Sequence, residues 1–239
     1  MAVFNENEVV ASHQRLATLI LNDMAALGAA TDIIRKAILS FRFPSVSYEE
    51  SADFLAASHI GLRVVNNAGA CSQLIDRGYF AQAASHIRDT AETGMLALRF
   101  SEDPTQVEIW RKAEDQRHSM FGRSALRKKI GHREKFDWFD QYFNAYSQYG
   151  GHPSAETIIA HHDGTNFQIG PHFNKKLFLL TYRDLAAVTW RATDICGDLW
   201  KAMVGSEISE NFPEEVDRFS ACWEGISQPL DLSKLHFEV

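Results

Sequence analysis

The chain has 239 residues, is 45% hydrophobic and 23% charged, and carries a net charge of -7, which excludes disordered and collagen-like proteins and leaves an ordinary globular one. That length buries a sizeable core and fits a single domain over residues 1–239. The three cysteines, Cys71, Cys196 and Cys222, are far apart, which argues against a disulfide framework and for reduced thiols in a cytoplasmic setting. No secretory signal is expected, because MAVFNENEVV lacks both a basic region and a long apolar run. The most apolar stretch, Leu177 to Val204, contains Arg183, Asp184, Arg191, Asp194 and Asp198, too many charges for a membrane span.

In chain order, Asn5 with Glu8 suggests a capped start. Leu16, Leu19, Ile20, Met24, Leu27, Ile34, Ile38 and Phe41 then predict one long helix that stops at Phe43-Pro44. Ser47-Tyr48-Glu49-Glu50 is a capping box opening a second helix, with Phe54, Leu55, Leu62, Val65, Ala68 and Ile75 inward and an end near Gly78. Tyr79 to Phe100 reads as a third helix. Asp103-Pro104-Thr105-Gln106 starts a fourth, with Pro at the first helical position. Shorter helices and a segment from Phe136 to Tyr149 follow. Asp163-Gly164, flanked by Thr157 to His161 and Asn166 to Ile169, predicts a tight hairpin turn. Asn174 caps the longest apolar helix, Asn211 to Trp223 reads as a last one, and residues 225–239 as an extended tail. The expected fold is all-α, an antiparallel helical bundle with a small β-hairpin insert at about residues 155–172.

Charge and aromatics concentrate between Arg111 and Pro153. Residues 111–135 hold nine basic residues against three acidic ones, a local charge of +6. Arg127, Lys128 and Lys129 are the phosphate-binding candidates there. The following run FDWFDQYFNAYSQYGGHP offers Trp138, Phe139, Tyr142 and Tyr146 as stacking surfaces, although Phe139, Tyr142, Phe143 and Tyr146 also share one helical face and fit a buried stripe. Six of the ten histidines, His118, His132, His152, His161, His162 and His172, fall within 55 residues. His161, His162, Asp163 and His172 are the candidate metal ligands. Adjacent His161 and His162 on a strand would point to opposite faces, so only one could serve a given site. No Walker loop, Rossmann fingerprint or nucleophile elbow is present, so no cofactor is expected.

Arg127-Lys128-Lys129-Ile130-Gly131-His132 in a helical bundle resembles the Arg-x4-6-His signature of the HEPN superfamily, many of whose members are RNases. The resemblance implies that His132 acts as general acid or base while Arg127 steadies phosphate charge. This sequence departs from the family in placing Gly131, a helix terminator, before His132. A second pairing, Ile87-Arg88-Asp89-Thr90-Ala91-Glu92 upstream of Tyr146-Ser147-Gln148-Tyr149-Gly150-Gly151-His152-Pro153, is similar to an uncharacterised family of bacterial helical proteins. Arg88 and Glu92 lie one helical turn apart; if inward, they must pair with each other or with His59, Arg63, Arg183 or Asp184. Arg88, Glu92, His132 and His152 are therefore the candidate catalytic residues.

Three functions are expected on these grounds. The leading one is a self-associating binding or interaction protein of unknown ligand, with RNA or another phosphate-bearing ligand as the candidate partner and no membrane partner. The others are a HEPN-like ribonuclease of a defence or toxin system and a metal-dependent enzyme using the histidine-rich hairpin.

Overall fold

A computed structural model describes residues 5–40, 48–151 and 170–204, together with His161 and Asn166. Nine α-helices occur among them: α1 (Glu6–Gln14), α2 (Leu21–Ser40), α3 (Tyr48–Asp76), α4 (Phe80–Glu102), α5 (Thr105–Lys112), α6 (Arg117–Phe121), α7 (Arg123–Lys129), α8 (Arg133–Tyr146) and α9 (Lys175–Val204). No strand occurs among the described residues. The predicted hairpin lies almost wholly outside them, as do the capping-box Ser47, the helix from Asn211 to Trp223 and the tail.

The long helices α2, α3, α4, α8 and α9 alternate in direction, so neighbours in this order are antiparallel while α4 and α9 run parallel. Side-chain contacts fix this arrangement. The starts of α4 and α9 meet where the His172 amide donates to Gly78 O at 3.4 Å. At the other end, Lys135 in the first turn of α8 is 3.3 Å from Asp198 near the end of α9. Helix α4 is the hub and packs against α9, α3 and α8. Its alanines allow that close approach: Ala81, Ala83, Ala84, Ala91 and Ala97 are buried together with Ile87, Met95, Leu98 and Phe100. The buried apolar residues of all the long helices join into one cluster, whose burial is the main force holding the bundle together.

Local signals explain most boundaries. Asn174 Oδ1 accepts from the Leu177 amide at 3.0 Å and caps α9 as expected. Gly78, with φ of 80°, supplies the left-handed turn that ends α3. Asp103 orders the start of α5 differently from the predicted cap. Its carboxylate accepts from the Thr105 hydroxyl at 2.6 Å and the Gln106 side-chain amide at 2.9 Å.

Two expectations need correction. The first helix is broken: α1 ends at Gln14, a 3-10 turn spans Ala17–Leu19, and α2 starts at Leu21. Asn5 makes no side-chain cap bond. The break lets α1 turn His13 into the bundle, where its ring stacks on Phe178 at 4.4 Å with Phe80 edge-on at 5.8 Å. His13 Nδ1 meets Asp76 O at 2.9 Å. The inward faces of the first two helices follow the prediction in part: Ile20, Leu27, Ile34, Ala68 and Ile75 are buried as expected. Leu19, Met24, Leu55 and Leu62 are exposed, while Ile33, Ala37, Ala57, Ile60, Val64 and Cys71 are buried. Alanines and a cysteine share the packing face with branched residues, and the large apolar residues at its margins face outward.

Burial holds the His13 imidazole below its usual pKa, against the raising effects of the Asp76 carbonyl and carboxylate. The folded state therefore binds fewer protons than the unfolded chain between that lowered value and 6.5, and stability falls as pH drops through this window. Thermal melts at neutral and mildly acidic pH should show that loss. In His13→Phe, which keeps a ring on Phe178 but cannot titrate, the loss in this window should shrink; an unchanged pH dependence would assign it to other groups.

Candidate functional site

Helix α4 leaves a polar strip unburied between α3 and α8. Ser85, His86, Arg88, Asp89 and Glu92 on it are all half-buried. On the α8 side, Arg88 Nε donates to Ser147 Oγ at 2.9 Å, and its guanidinium carbon lies 4.4 Å from the centre of the Phe143 ring. Ser147 itself donates to Phe143 O at 2.6 Å, so its oxygen is turned to accept from Arg88. The Arg123 guanidinium is 5.1 Å from the same ring. Two cations share one aromatic ring, a favourable contact for each but a mutual repulsion.

Carboxylates relieve that repulsion unequally. Arg123 makes a two-armed pair with Asp140, which also accepts from Asn144 Nδ2 at 3.2 Å and has Arg127 Nη1 at 3.9 Å. Burial raises the Asp140 carboxyl pKa, but the Arg123 bonds and the other neighbours outweigh it and hold the group below its usual value. Among the described residues Arg88 has only Glu92, at 3.9 Å.

The backbone that presents Ser147 is a π turn, Ser147–Gly151, which prolongs α8. Gly150 lets it lie against α4: a Cβ there would overlap Ala81 O and come within 2.7 Å of the Ala84 Cβ. Ser85 Oγ donates to Gly150 O at 2.9 Å. The Tyr-Ser-Gln-Tyr-Gly-Gly run is thereby pinned to the helix that carries Arg88 and Glu92.

On the α3 side, Arg63 pairs with Asp89 through two nitrogens. Asn67 Nδ2 donates to Asp89 Oδ2 at 2.5 Å, and Asn67 Oδ1 faces His86 Nδ1 at 3.1 Å. An ionised carboxylate only accepts, so the Asn67 amide nitrogen points to Asp89 and its oxygen to His86. The His86 proton then sits on Nδ1. Burial raises the Asp89 pKa, yet the bonds from Arg63 and Asn67 and the charges of Arg63 and His86 bring it below the usual value. Glu92 adds to the negative field at Arg63, so the two sides of the strip communicate electrostatically. Sequence reading missed Asn67, His86, Asp89, Arg123 and Asp140 as site residues. Arg63-x3-Asn67 and His86-x2-Asp89 do share a helical face at these spacings, and that was the available signal.

The predicted catalytic residues divide. Arg88 and Glu92 pair with each other at 3.9 Å, and Arg88 also meets Ser147. His132 does not join them: its amide donates to Glu102 Oε1 at 2.7 Å, fourteen residues along α4 from Arg88, or roughly 21 Å of helix. Helix α7 ends at Lys129, so Arg127 and His132 do not share a helix. Glu102 also takes the Gly131 amide at 2.9 Å and so caps α8 from another helix. Arg127, Lys128 and Lys129 are exposed. The aromatic stripe is mostly core, with Phe139, Tyr142 and Tyr146 buried and Tyr146 donating to Asp184 Oδ2 at 2.6 Å.

His152, His162 and Asp163 lie outside the described residues. His161 lines a small pocket with Gly78 to Gln82 and Gly170, and His172 is buried edge-on to Phe80 at 5.4 Å. Among the described residues no three histidines, cysteines or acidic residues are grouped to hold a metal ion. Cys71 and Cys196 are buried free thiols, and burial pushes the pKa of each up, to about 12 for Cys196. No helix among the described residues is long and apolar enough to cross a membrane.

The chain matches no protein-family model, and no curated protein or solved structure was found similar to it. The chemistry of the α4 strip is therefore the ground for any functional reading.

Proposed function

We propose that the protein is a binding module whose α4–α8 face takes a phosphate-bearing ligand, with Arg88 as the principal contact and Arg123 beside it. The support comes from Arg88. Its guanidinium is positioned by neutral groups, Ser147 and Phe143, while the Glu92 carboxylate stands 3.9 Å away, beyond hydrogen-bond reach. Among the described residues no acceptor lies within hydrogen-bond reach of its terminal N–H donors, and a planar guanidinium matches phosphate oxygens in pairs. Self-association belongs to the same reading, since Leu39, Leu55 and Leu62 are 75%, 54% and 42% exposed and offer apolar surface that a second copy would cover.

Calorimetric titration with inorganic pyrophosphate and with an oligouridylate tests the proposal. The unaltered protein should bind one of them saturably. Arg88→Ala should weaken that binding at least tenfold, because a hydrogen bond to a charged group contributes about 1.5–3 kcal/mol, and Arg88→Lys should recover part of it. Binding indifferent to Arg88, or none at all, defeats the reading.

The Arg88–Ser147 bond also favours a second reading, a HEPN-like ribonuclease using Arg88, Glu92 and His152, because it joins the Arg/Glu helix to the segment leading to His152. The same oligouridylate would then be cut by the unaltered protein and spared by His152→Ala. Equal background cleavage by both leaves only the binding role.

A further inference from the structure

Three cations on α6, α7 and the start of α8, namely Arg117, Lys129 and Arg133, are held by carbonyl dipoles rather than by carboxylates. Arg117 donates to Trp110 O at 3.1 Å and Arg111 O at 3.2 Å. Lys129 donates to Met120 O at 3.2 Å, and Arg133 to Arg127 O. Arg117, Lys128, Lys129 and Arg133 are exposed, and none of the four pairs with a carboxylate among the described residues. Carbonyl oxygens orient such groups without neutralising them, so this face keeps its positive field.

The opposite charge is gathered at one place in the sequence. Residues 205–239 contain eight acidic residues and two basic ones, Arg218 and Lys234, a charge of -6 against the +6 of residues 111–135. Five of those acids, Glu207, Glu210, Glu214, Glu215 and Asp217, come first. Their starting point is on the page: α9 ends at Val204, six residues or about 9 Å of helix beyond Asp198, which pairs with Lys135 at 3.3 Å. Lys135 lies two residues past Arg133. The acidic segment thus follows from the end of the bundle at which α8 begins, and eleven extended residues reach at most about 40 Å, enough to carry Glu215 well past the start of α8.

We propose that residues 205–239 dock in cis on the face formed by Arg117, Lys128, Lys129 and Arg133, so that the chain covers its own cationic surface and an outside polyanion must displace it. Each exposed ion pair contributes little by itself. Several together, on a segment tethered to the same fold, have the effective concentration of an intramolecular partner. Salt should release the segment, because exposed pairs are screened.

The test uses the full chain and a variant with Glu207→Gln, Glu210→Gln, Glu214→Gln, Glu215→Gln and Asp217→Asn. At low salt, Lys128 and Lys129 should be acetylated severalfold more slowly in the unaltered protein than in the variant, and the difference should vanish at high salt. An oligouridylate should bind the variant about tenfold more tightly, as expected when a competing polyanion is removed. Carbodiimide crosslinks from these lysines to the acidic segment, read in a mixture of isotopically light and heavy chains, should be light-light or heavy-heavy. Equal acetylation of the two proteins at low salt overturns the proposal, and so do mixed light-heavy crosslinks, which would place the segment on a second copy. Because acetylation and crosslinking need no ligand, their outcome is independent of whether Arg88 binds phosphate.

Discussion

Trp200→Ala is expected to cost about 3–5 kcal/mol, the usual range for emptying a large aromatic site in a core. The indole is fully buried and lies in a notch made by the missing side chain of Gly61. A Cβ on Gly61 would be 2.7 Å from Trp200 Cζ2 and 3.2 Å from Ile34 Cγ2. One ring therefore holds α9 against α3 and α2 together, at the end of the bundle from which residues 205–239 depart. For a chain of this size the loss corresponds to a melting temperature lower by roughly 10 °C. Denaturant unfolding of both proteins measures it, and a loss under about 1 kcal/mol would mean that the notch closes and the packing described here does not limit stability.

Gly94→Ala should cost about 3 kcal/mol by the opposite mechanism, overfilling. Three carbons of the Phe139 ring would all lie under 3.0 Å from the new Cβ. That ring cannot step aside, since it is fully buried and packed edge-on against Trp138 at 5.2 Å. Helix α8 has to move away from α4 instead. Phe139→Leu relieves the overlap, so the double variant should be more stable than the sum of the single losses by about 1 kcal/mol or more; strict additivity would show that the two residues do not meet. Displacing α8 also stretches the 2.9 Å Arg88–Ser147 bond, so Gly94→Ala should weaken anion binding although it touches no ligand.

How far the sequence could be read depended on the range of the interaction responsible. Helix α9 was plain from an Asn cap and an apolar face within its own residues, and α4 from the alanine-rich text between Tyr79 and Phe100. The break after Gln14 was not legible, because the contacts that go with it, those of His13 with Phe80, Phe173 and Phe178, come from far away in the chain. Arg88 and Glu92 could be picked out because two charges interrupt an alanine-rich helix. The Asn67 contacts to His86 and Asp89 cross between two helices, so the spacings within each helix mark a shared face but not the partner it meets. His132 illustrates the converse: an arginine and a histidine five residues apart look like a pair, yet Glu102, some thirty residues away in sequence, decides where the histidine's backbone sits.

The anchoring of Gly150 has a consequence for how the protein can vary. Gly150 rests on Ala81 and Ser85, and His172 is held by Gly78, so the stretch from 151 to 171 departs from and returns to one turn-sized patch at the beginning of α4. Both of its ends are fastened to the same support, and its length is decoupled from the geometry of the bundle. Doubling such a loop costs only about 0.6 kcal/mol in closure entropy. A reporter peptide grafted there would leave the helices in register, which makes this segment the natural place to attach a probe.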